Sequence, residues 1–349
     1  MKLSNIVVSP ELPIVDLVGV FDSVSSDTLL VCNSSGILLG VISAKEMREA
    51  LVKLPMIASM ASDLMNRNPI TMAESSSTKK SLEALEKHDV SLIPSVDENM
   101  KCMGFYHAKG YYSYNKVATS VFILAGGRGH RMLPLTEKLP KPLLKVWGRE
   151  MIGIVIDSMV SQGFCNFYIS INYKGSLIRD YILNNYGGNS SLSIKFVSES
   201  LPMGTCGPLG LVNRSELSKE VIVVNADTVS NINYRSLLNH HQVSLAAISV
   251  ASCEVGTQIP FGVLKKKNGL VTSIEEKPIV TAEIAAGIYC IDIQQAELIP
   301  KDQPYDFPDL ISETLNKKRK VVTYLIHENW ADVGNIKALE DVNAQSPYC

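Results

Sequence analysis

The chain of 349 residues carries 33 basic and 35 acidic side chains, for a formal charge of -2, and 46% of its residues are hydrophobic. That length gives room for two separately cored domains, and the near-neutral balance excludes an overall field that would draw the molecule to nucleic acid or an anionic membrane. No run approaches the roughly 20 apolar residues of a membrane span, the N-terminus lacks a signal-peptide core, and the seven cysteines are scattered with no C-x-x-C pair, so a cytoplasmic protein is expected.

Residues 16 to 43, DLVGVFDSVSSDTLLVCNSSGILLGVIS, and 80 to 107, KSLEALEKHDVSLIPSVDENMKCMGFYH, follow one pattern at a spacing of 64 residues. Each reads as an apolar-periodic helix (Val18 and Phe21; Leu82 and Leu85), a buried strand, a polar turn, and a second strand opening at Gly40 or Gly104. Residues 56 to 65 link the copies and carry a further helix-like stretch. The duplicated unit resembles a tandem pair of CBS domains over about residues 1 to 112, an α+β module. The resemblance implies an adenine nucleotide in the shared cleft, with Ser43 and Glu46 of GVISAKE holding the ribose. The second copy, GFYHAKG, has His107 and Gly110 at those places. On the residues alone, Ser43 equally reads as the cap of a helix starting at Ala44, and the pair of units as a dimerisation block.

Residues 111 to 119, YYSYNKVAT, read as a polar connector between a first domain of residues 1–116 and a second of residues 119–349. Beyond it, strands SVFIL, NFYISI, SIKFV, VIVVNAD and SLAAISV alternate with helices MIGIVIDSMVSQ, KGSLIRDYILNNY, PLGLVNR and YRSLLNHH. This α/β alternation predicts a mostly parallel sheet covered by helices on both faces. Ligands of such sheets sit beyond the carboxyl ends of the strands, so the loops there matter most.

The first of these loops is LAGGRGHRMLPLTEKLPKPLL, residues 124 to 144. Its glycines at 126, 127 and 129 uncover backbone N–H groups and allow positive φ, as close approach to a polyphosphate requires. Arg131 and Lys141 follow, and Pro140 and Pro142 are expected to keep Lys141 in an extended segment. Neither P-loop nor G-x-G-x-x-G spacing is present.

These residues resemble the signature of the sugar-phosphate nucleotidyltransferases, a strand followed by GGxGxR, P-x-T and PKP, with His130 and Met132 as departures. The resemblance implies a Rossmann-like mixed sheet sandwiched by helices. It also implies an NTP held by Leu124, Ala125, Gly126, Gly127 and Gly129, and catalysis by Arg131, Lys141 and Asp227. Asp227 ends the strand of VIVVNADTV, and Asp332 lies in NWADVGN, where Trp330, Asp332 and Gly334 match W-x-D-x-G; both carboxylates are implied as ligands of Mg2+. SESLPMGTCGPLGL resembles the family's loop bordering the nucleobase, which gives Gly204, Thr205 and Gly207, with Glu199 beside them. SIEEKP matches E-K-P and implies sugar-phosphate contacts by Glu276 and Lys277. Gly287 falls in an N-A-G-x-Y element that here has Ala285 in place of Asn.

The implied reaction is attack by a sugar 1-phosphate on the α-phosphate of an NTP, giving an NDP-sugar and pyrophosphate. GTP and glucosamine 1-phosphate are the expected substrates, because the chain resembles the guanylyltransferases that serve legionaminic acid synthesis. Mannose- or heptose-1-phosphate guanylyltransferases and glucose-1-phosphate thymidylyl- or uridylyltransferases are the alternatives within the family. A non-catalytic nucleotide sensor is the alternative outside it. The family implies a homo-oligomer, expected as a dimer, with no nucleic-acid or membrane partner.

Overall fold

The computed structural model describes residues 3–24, 26–53, 60–74, 76, 78–107, 110–113 and 116–344. The repeat in the first third is plain in the backbone. One copy holds α1 (Ile14–Ser23), β1 (Thr28–Cys32), β2 (Leu38–Ser43) and α2 (Ala44–Lys53). The other holds α3 (Thr78–His88), β3 (Leu92–Val96) and β4 (Cys102–His107). Each pair of strands is an antiparallel hairpin, so both second strands start two residues before the glycines that were expected to open them. In α1 the buried edge is Ile14 and Leu17, while Val18 is exposed. The side chain of Leu82 and residues 54–59 lie outside the described residues.

The two copies meet at equivalent positions. The Leu38 N–H donates to Met100 O at 2.9 Å and the Cys102 N–H to Gly36 O at 2.9 Å; adding 64 to either bond gives the other. Ile37 forms a β-bridge with Lys101, and the Ser91 hydroxyl donates to the Asp27 carboxylate, again pairs separated by 64. A contact between equivalent residues requires a two-fold axis relating the copies, so the duplication is built as a pseudo-symmetric dimer within one chain. Its halves share one core that includes Leu29, Leu30, Val31, Leu92 and Phe105.

Within the connector read at 111 to 119, Gly110–Ser113 extends the second hairpin as a further strand, and residues 114 and 115 lie outside the described residues. The next strand, β5 (Val117–Leu124), already belongs to the second sheet. There follow α4 (Met151–Ser161), β6 (Phe164–Ile171), α5 (Gly175–Tyr186), β7 (Ser193–Ser198), β8 (Glu220–Asn225), β9 (Thr228–Ser230) and α6 (Tyr234–Ser244). Then come β10 (Ile248–Gln258), β11 (Gly262–Lys267), β12 (Leu270–Glu276), β13 (Ile279–Asp292), α7 (Phe307–Asn316), β14 (Val321–Leu325), β15 (Trp330–Asp332) and α8 (Ile336–Ala344).

The seven-stranded sheet has the order β7-β6-β5-β8-β13-β10-β14. All neighbours are parallel except β13, which runs against both β8 and β10. The central strands β5 and β8 hold unbroken buried runs because helices cover both faces, and the period of two divides them cleanly. Val121, Ile123, Ile222 and Val224 point into one core with Ile152, Val155, Ile156 and Met159 of α4. Phe122, Val221 and Val223 point into the other with Phe307 and Leu310 of α7. SLAAISV starts as a strand only at Ile248, because α6 runs on to Ser244 and stops at Leu245 in the left-handed conformation.

A smaller third core lies behind the carboxyl edge. It joins Met132, Leu144, Val146, Met151, Val229, Val333 and Val342. Four of its members closely follow a charged residue of the cleft: Met132 after Arg131, Leu144 after Lys141, Val229 after Asp227 and Val333 after Asp332. Truncating a fully buried member leaves a cavity that costs about 2–5 kcal/mol. Met132→Ala is therefore expected to lower the urea midpoint by that equivalent, and an unchanged midpoint would show that this cluster carries no load.

Candidate active site

Beyond the ends of β5, β6 and β8 opens a cleft of about 380 Å³. Leu124 and Ala125 at the end of β5 form its floor, and the Ala125 N–H is tied to Ser170 O at the end of β6, 3.1 Å away. Gly126, Gly127 and Arg131 continue the wall. Gly126 is required by close approach: a Cβ there would run into the carboxylate of Glu199. Burial pushes the Glu199 carboxyl above its usual range, against the Met203 N–H bond at 3.2 Å that favours the charge. Of the three loop glycines only Gly129 takes positive φ, at 65°, and it stands behind the cleft rather than in it. His130 is exposed and also outside.

Lys141 was expected in an extended segment; it instead opens a single 3-10 turn, Lys141–Leu143. Pro142 fits there because the first turn of a helix needs no N–H donor and favours the φ that proline imposes. The turn carries the Lys141 side chain inward, where it is 11% exposed and forms an ion pair with Asp227. The loop before it is braced by Thr136, which donates to Gly129 O at 3.0 Å and accepts at its carbonyl from the Tyr173 hydroxyl at 3.2 Å. Asn172, one residue earlier, donates to Glu199 O at 2.9 Å, so Asn172 and Tyr173 together tie two cleft loops to the end of β6.

Asp227 and Asp332 arrive from distant parts of the chain. The short strands β9 and β15 pair antiparallel with Thr228 opposite Asp332, and the Val333 N–H reaches Asp227 O at 3.3 Å. Both carboxylates line the cleft. Desolvation first, and then the charge of Asp227, push the Asp332 carboxyl above its usual range, while Lys141 and Arg131 work in the opposite sense. Two hard oxygen donors with unfavourable mutual charge fit Mg2+, which takes one or two carboxylates and leaves its remaining positions to water and phosphate. Among the described residues no cluster of three or more His, Cys, Asp or Glu offers a metal cage.

On the opposite wall, Gly204 and Thr205 line the cleft. Gly204 has φ 77° and backs onto Tyr305 O, so a side chain there is excluded on both counts. Thr205 is already engaged: its N–H and hydroxyl both donate to Asp306 Oδ1, at 2.7 and 2.9 Å. Gly207 donates to Tyr305 O at 2.9 Å from behind the wall. The expected helix PLGLVNR is a 3-10 turn, Gly207–Leu211, followed by another at Arg214–Glu216; Pro208 and Gly210 leave too few helix-forming residues for a longer one.

Gly287 sits at the cleft edge on β13, where a Cβ would meet the Asn225 amide at 2.7 Å. Trp330 pins the residue before it, donating from Nε1 to Ala286 O at 2.9 Å. Glu276 and Lys277 do not join the cleft. They stand exposed on a ribbon in which β10 and β13 continue past the sheet. In the first module, Ser43 and Glu46 face each other: the Ser43 hydroxyl donates to Glu46, and the Ser43 N–H to Glu46 Oε2 at 2.8 Å. Ser43 Oγ also accepts from the Lys45 N–H at 3.2 Å, so Ser43 caps the start of α2.

Cleft residues that were not foreseen include Arg128, Ser170, Pro202, Asn225 and Ala226. Ser170 and Asn225 each end a buried strand on the carboxyl edge, the same placement that singled out Asp227. Arg128 lies inside the glycine loop itself.

No helix among the described residues is long and apolar enough to cross a membrane. Residues 61–109 match the family model of the CBS domain. The mannose-1-phosphate guanyltransferase of Pichia angusta is 30% identical over 223 residues, covering 62% of this chain and 60% of its own. That of Candida albicans is 29% identical, covering 62% and 61%. The chain thus spans about 60% of the length of these curated relatives. The crystal structure of HddC from Yersinia pseudotuberculosis, solved also with GMP-PN, superposes with a TM-score of 0.51 at 23% identity, over 65% of this chain and 98% of that one; at this identity the likeness is one of fold. Residues 120–347, well over half of the chain, match the family model described as nucleotidyl transferase, and with the glycine loop, Lys141 and the paired aspartates gathered on one carboxyl edge, the chain belongs to the nucleotidyl transferase family.

Proposed function

We propose that the chain is a sugar-1-phosphate guanylyltransferase, joining GTP to mannose 1-phosphate with release of pyrophosphate. One observation carries the reading: Arg131 and Lys141 of the glycine loop wall a single cleft together with Asp227 and Asp332, which come from two other parts of the chain. A protein that only bound nucleotide would have no use for two carboxylates and a buried lysine at one point. The sugar moves from the glucosamine expected from sequence to mannose, because the curated relatives are mannose-1-phosphate guanyltransferases. The CBS module is read as the binding site of an adenine nucleotide.

In this mechanism the glycine-loop N–H groups and Arg131 hold the β- and γ-phosphates. Lys141 faces the α-phosphate. A sugar-phosphate oxygen, already ionised, attacks the α-phosphorus; the new P–O bond forms as the bridge to the β-phosphate breaks, and pyrophosphate leaves with the electron pair. No protein nucleophile is required. Asp227 and Asp332 would hold Mg2+, whose charge, when bound, is shared with the phosphate oxygens. Lys141 would then exchange its ion pair with Asp227 for the substrate. Gly126 and Glu199 shape the wall on the base side. Catalysis is positioning and charge neutralisation, and removal of one such contact costs about 100-fold to 1,000-fold in rate.

Asp227→Asn and Lys141→Ala are each expected to lower pyrophosphate release by at least that factor while leaving the circular dichroism spectrum unchanged; near-normal turnover in either would sink the assignment. Gly126→Ala should displace the Glu199 carboxylate and raise KM for GTP about tenfold or more, with the melting temperature little moved. A panel of five NTPs against mannose-, glucosamine-, glucose- and N-acetylglucosamine 1-phosphate, with and without AMP, tests the substrates. The expected best pair is GTP with mannose 1-phosphate, and a clear preference for another pair replaces this reading.

A further inference from the structure

An ion pair joins the first module to the second: Arg235, in the first turn of α6, donates from Nη2 to the carboxylate of Glu74. The two side chains are only 16% and 27% exposed, whereas a pair on the open surface such as Arg214 with Glu297 is 52% and 54% exposed. Pairs of the open kind contribute little, and sheltered ones are screened far less. Both partners are anchored from behind. Glu74 lies within residues 61–109, which match the CBS model, and the Tyr106 hydroxyl faces the carbonyl oxygens of Ala73, Glu74 and Ser76 at 2.9, 2.8 and 3.2 Å. Arg235 donates from Nη1 to Gln162 O at 3.2 Å. Gln162, 1% exposed, accepts at Oε1 from the Tyr234 N–H at 2.8 Å and donates from Nε2 to Ile232 O at 2.9 Å. The planar guanidinium is thus held in one orientation by two fixed acceptors. Next along α6, the Ser236 hydroxyl reaches Ser76 O at 3.4 Å.

The start of α6 is also the foot of the strand pair that carries the two aspartates. Asn233 caps the helix, its side chain accepting from the N–H groups of Arg235 and Ser236 at 3.1 and 3.0 Å. Its own N–H donates to Glu328 Oε1 at 3.1 Å. Two residues earlier the Asn231 N–H donates to Asn329 O at 3.2 Å. Then Ser230 pairs with Trp330, Val229 with Ala331 and Thr228 with Asp332. Residues 228–233 and 328–332 therefore lie side by side from the cleft to the cap of α6, bonded at successive steps. From Thr228 to Arg235 is at most about 23 Å of chain. Asp227 and Asp332 stand at one end of this run, and the ion pair to Glu74 stands at the other. Like charges at the upper end repel, so only the backbone keeps their separation, and a loosened foot lets the two strands shift against each other.

We infer that Glu74 and Arg235 are positioning residues for the paired aspartates: the CBS module, through Glu74 and Ser76, braces the foot of the ladder and so fixes the spacing of Asp227 and Asp332. The part of Mg2+ in this inference rests on the function proposed above; the brace itself does not.

The test uses Glu74→Gln, Arg235→Gln and the double variant in the full chain. Mn2+ binding is followed by electron paramagnetic resonance, with a non-hydrolysable GTP analogue present. Each single variant is expected to bind Mn2+ about fivefold more weakly, within the range by which residues remote from a ligand alter its affinity. The double variant should lose no more than Arg235→Gln alone, because the two residues act as one unit. Pyrophosphate release should show kcat lowered about tenfold and the half-saturating Mg2+ concentration raised, with KM for mannose 1-phosphate unchanged. Hydrogen exchange at the Asn231 and Asn233 amides should quicken in all three variants. Unchanged Mn2+ affinity in both single variants, with or without a fall in melting temperature, shows that the pair only holds the modules together and overturns the inference. Losses that add in the double variant overturn it too, since the residues then act separately. A wild type that binds no Mn2+ overturns the proposed reaction instead; hydrogen exchange then judges the brace alone, and unchanged exchange overturns it.

Discussion

The site depends on one electrostatic constraint: two aspartates must be held side by side at the edge of the sheet, and like charges there repel. Asp227 and Asp332 are fixed by a backbone ladder that leaves them no choice of distance, Thr228 being paired with Asp332. Lys141, buried beside them, supplies the opposing charge. Burial of a lysine is costly unless it is paired, and a pair of carboxylates is costly unless something positive lies between them. Each group therefore makes the other tolerable.

Electrostatics alone would not hold such a group of charges in place, since Lys141 sits on a single 3-10 turn and Asp332 ends a strand of three residues. The small core behind the edge does that. Met132, Leu144, Val229 and Val333 pack together, and each is one to three residues from a charged neighbour. The loops thus behave as a single rigid element although they come from residues 131, 141, 227 and 332. Trp330 adds the hook on β13 that fixes the cleft edge.

Much of this was legible in the sequence because the informative segments are short and local. Uninterrupted apolar runs such as VIVVN mark strands covered on both faces, and their ends mark the ligand edge. The 64-residue repeat was readable, and its two-fold axis emerged only when equivalent positions were seen to touch. What local patterns could not tell was how proline and glycine would be used. PKP reads as extended, yet tertiary packing of Pro142 and Leu143 makes it a turn; PLGLVNR reads as a helix but breaks at Gly210. Glu199 against Gly126 was equally hidden, since no spacing in sequence signals that one carboxylate needs another residue's missing Cβ. The ribbon was the largest omission. Its alternation of apolar and polar residues is that of any half-buried strand.

The bulge at the root of that ribbon has a further mechanical meaning. Between the pairs Val250–Tyr289 and Ser252–Ala285 the register slips, and Gly287, with φ 72°, stands in the slip. A glycine pivot at the root of the unbroken ladder from Ser252 to Gln258, about 20 Å long, acts as a lever: a rotation of about 10° at Gly287 moves the far end of that ladder by about 3.5 Å, given that length. Conversely, anchoring that end limits the pivot to a small angle. The residue at the cleft edge is thus also the fulcrum, so the position of a distant strand end and the shape of the cleft are geometrically one variable.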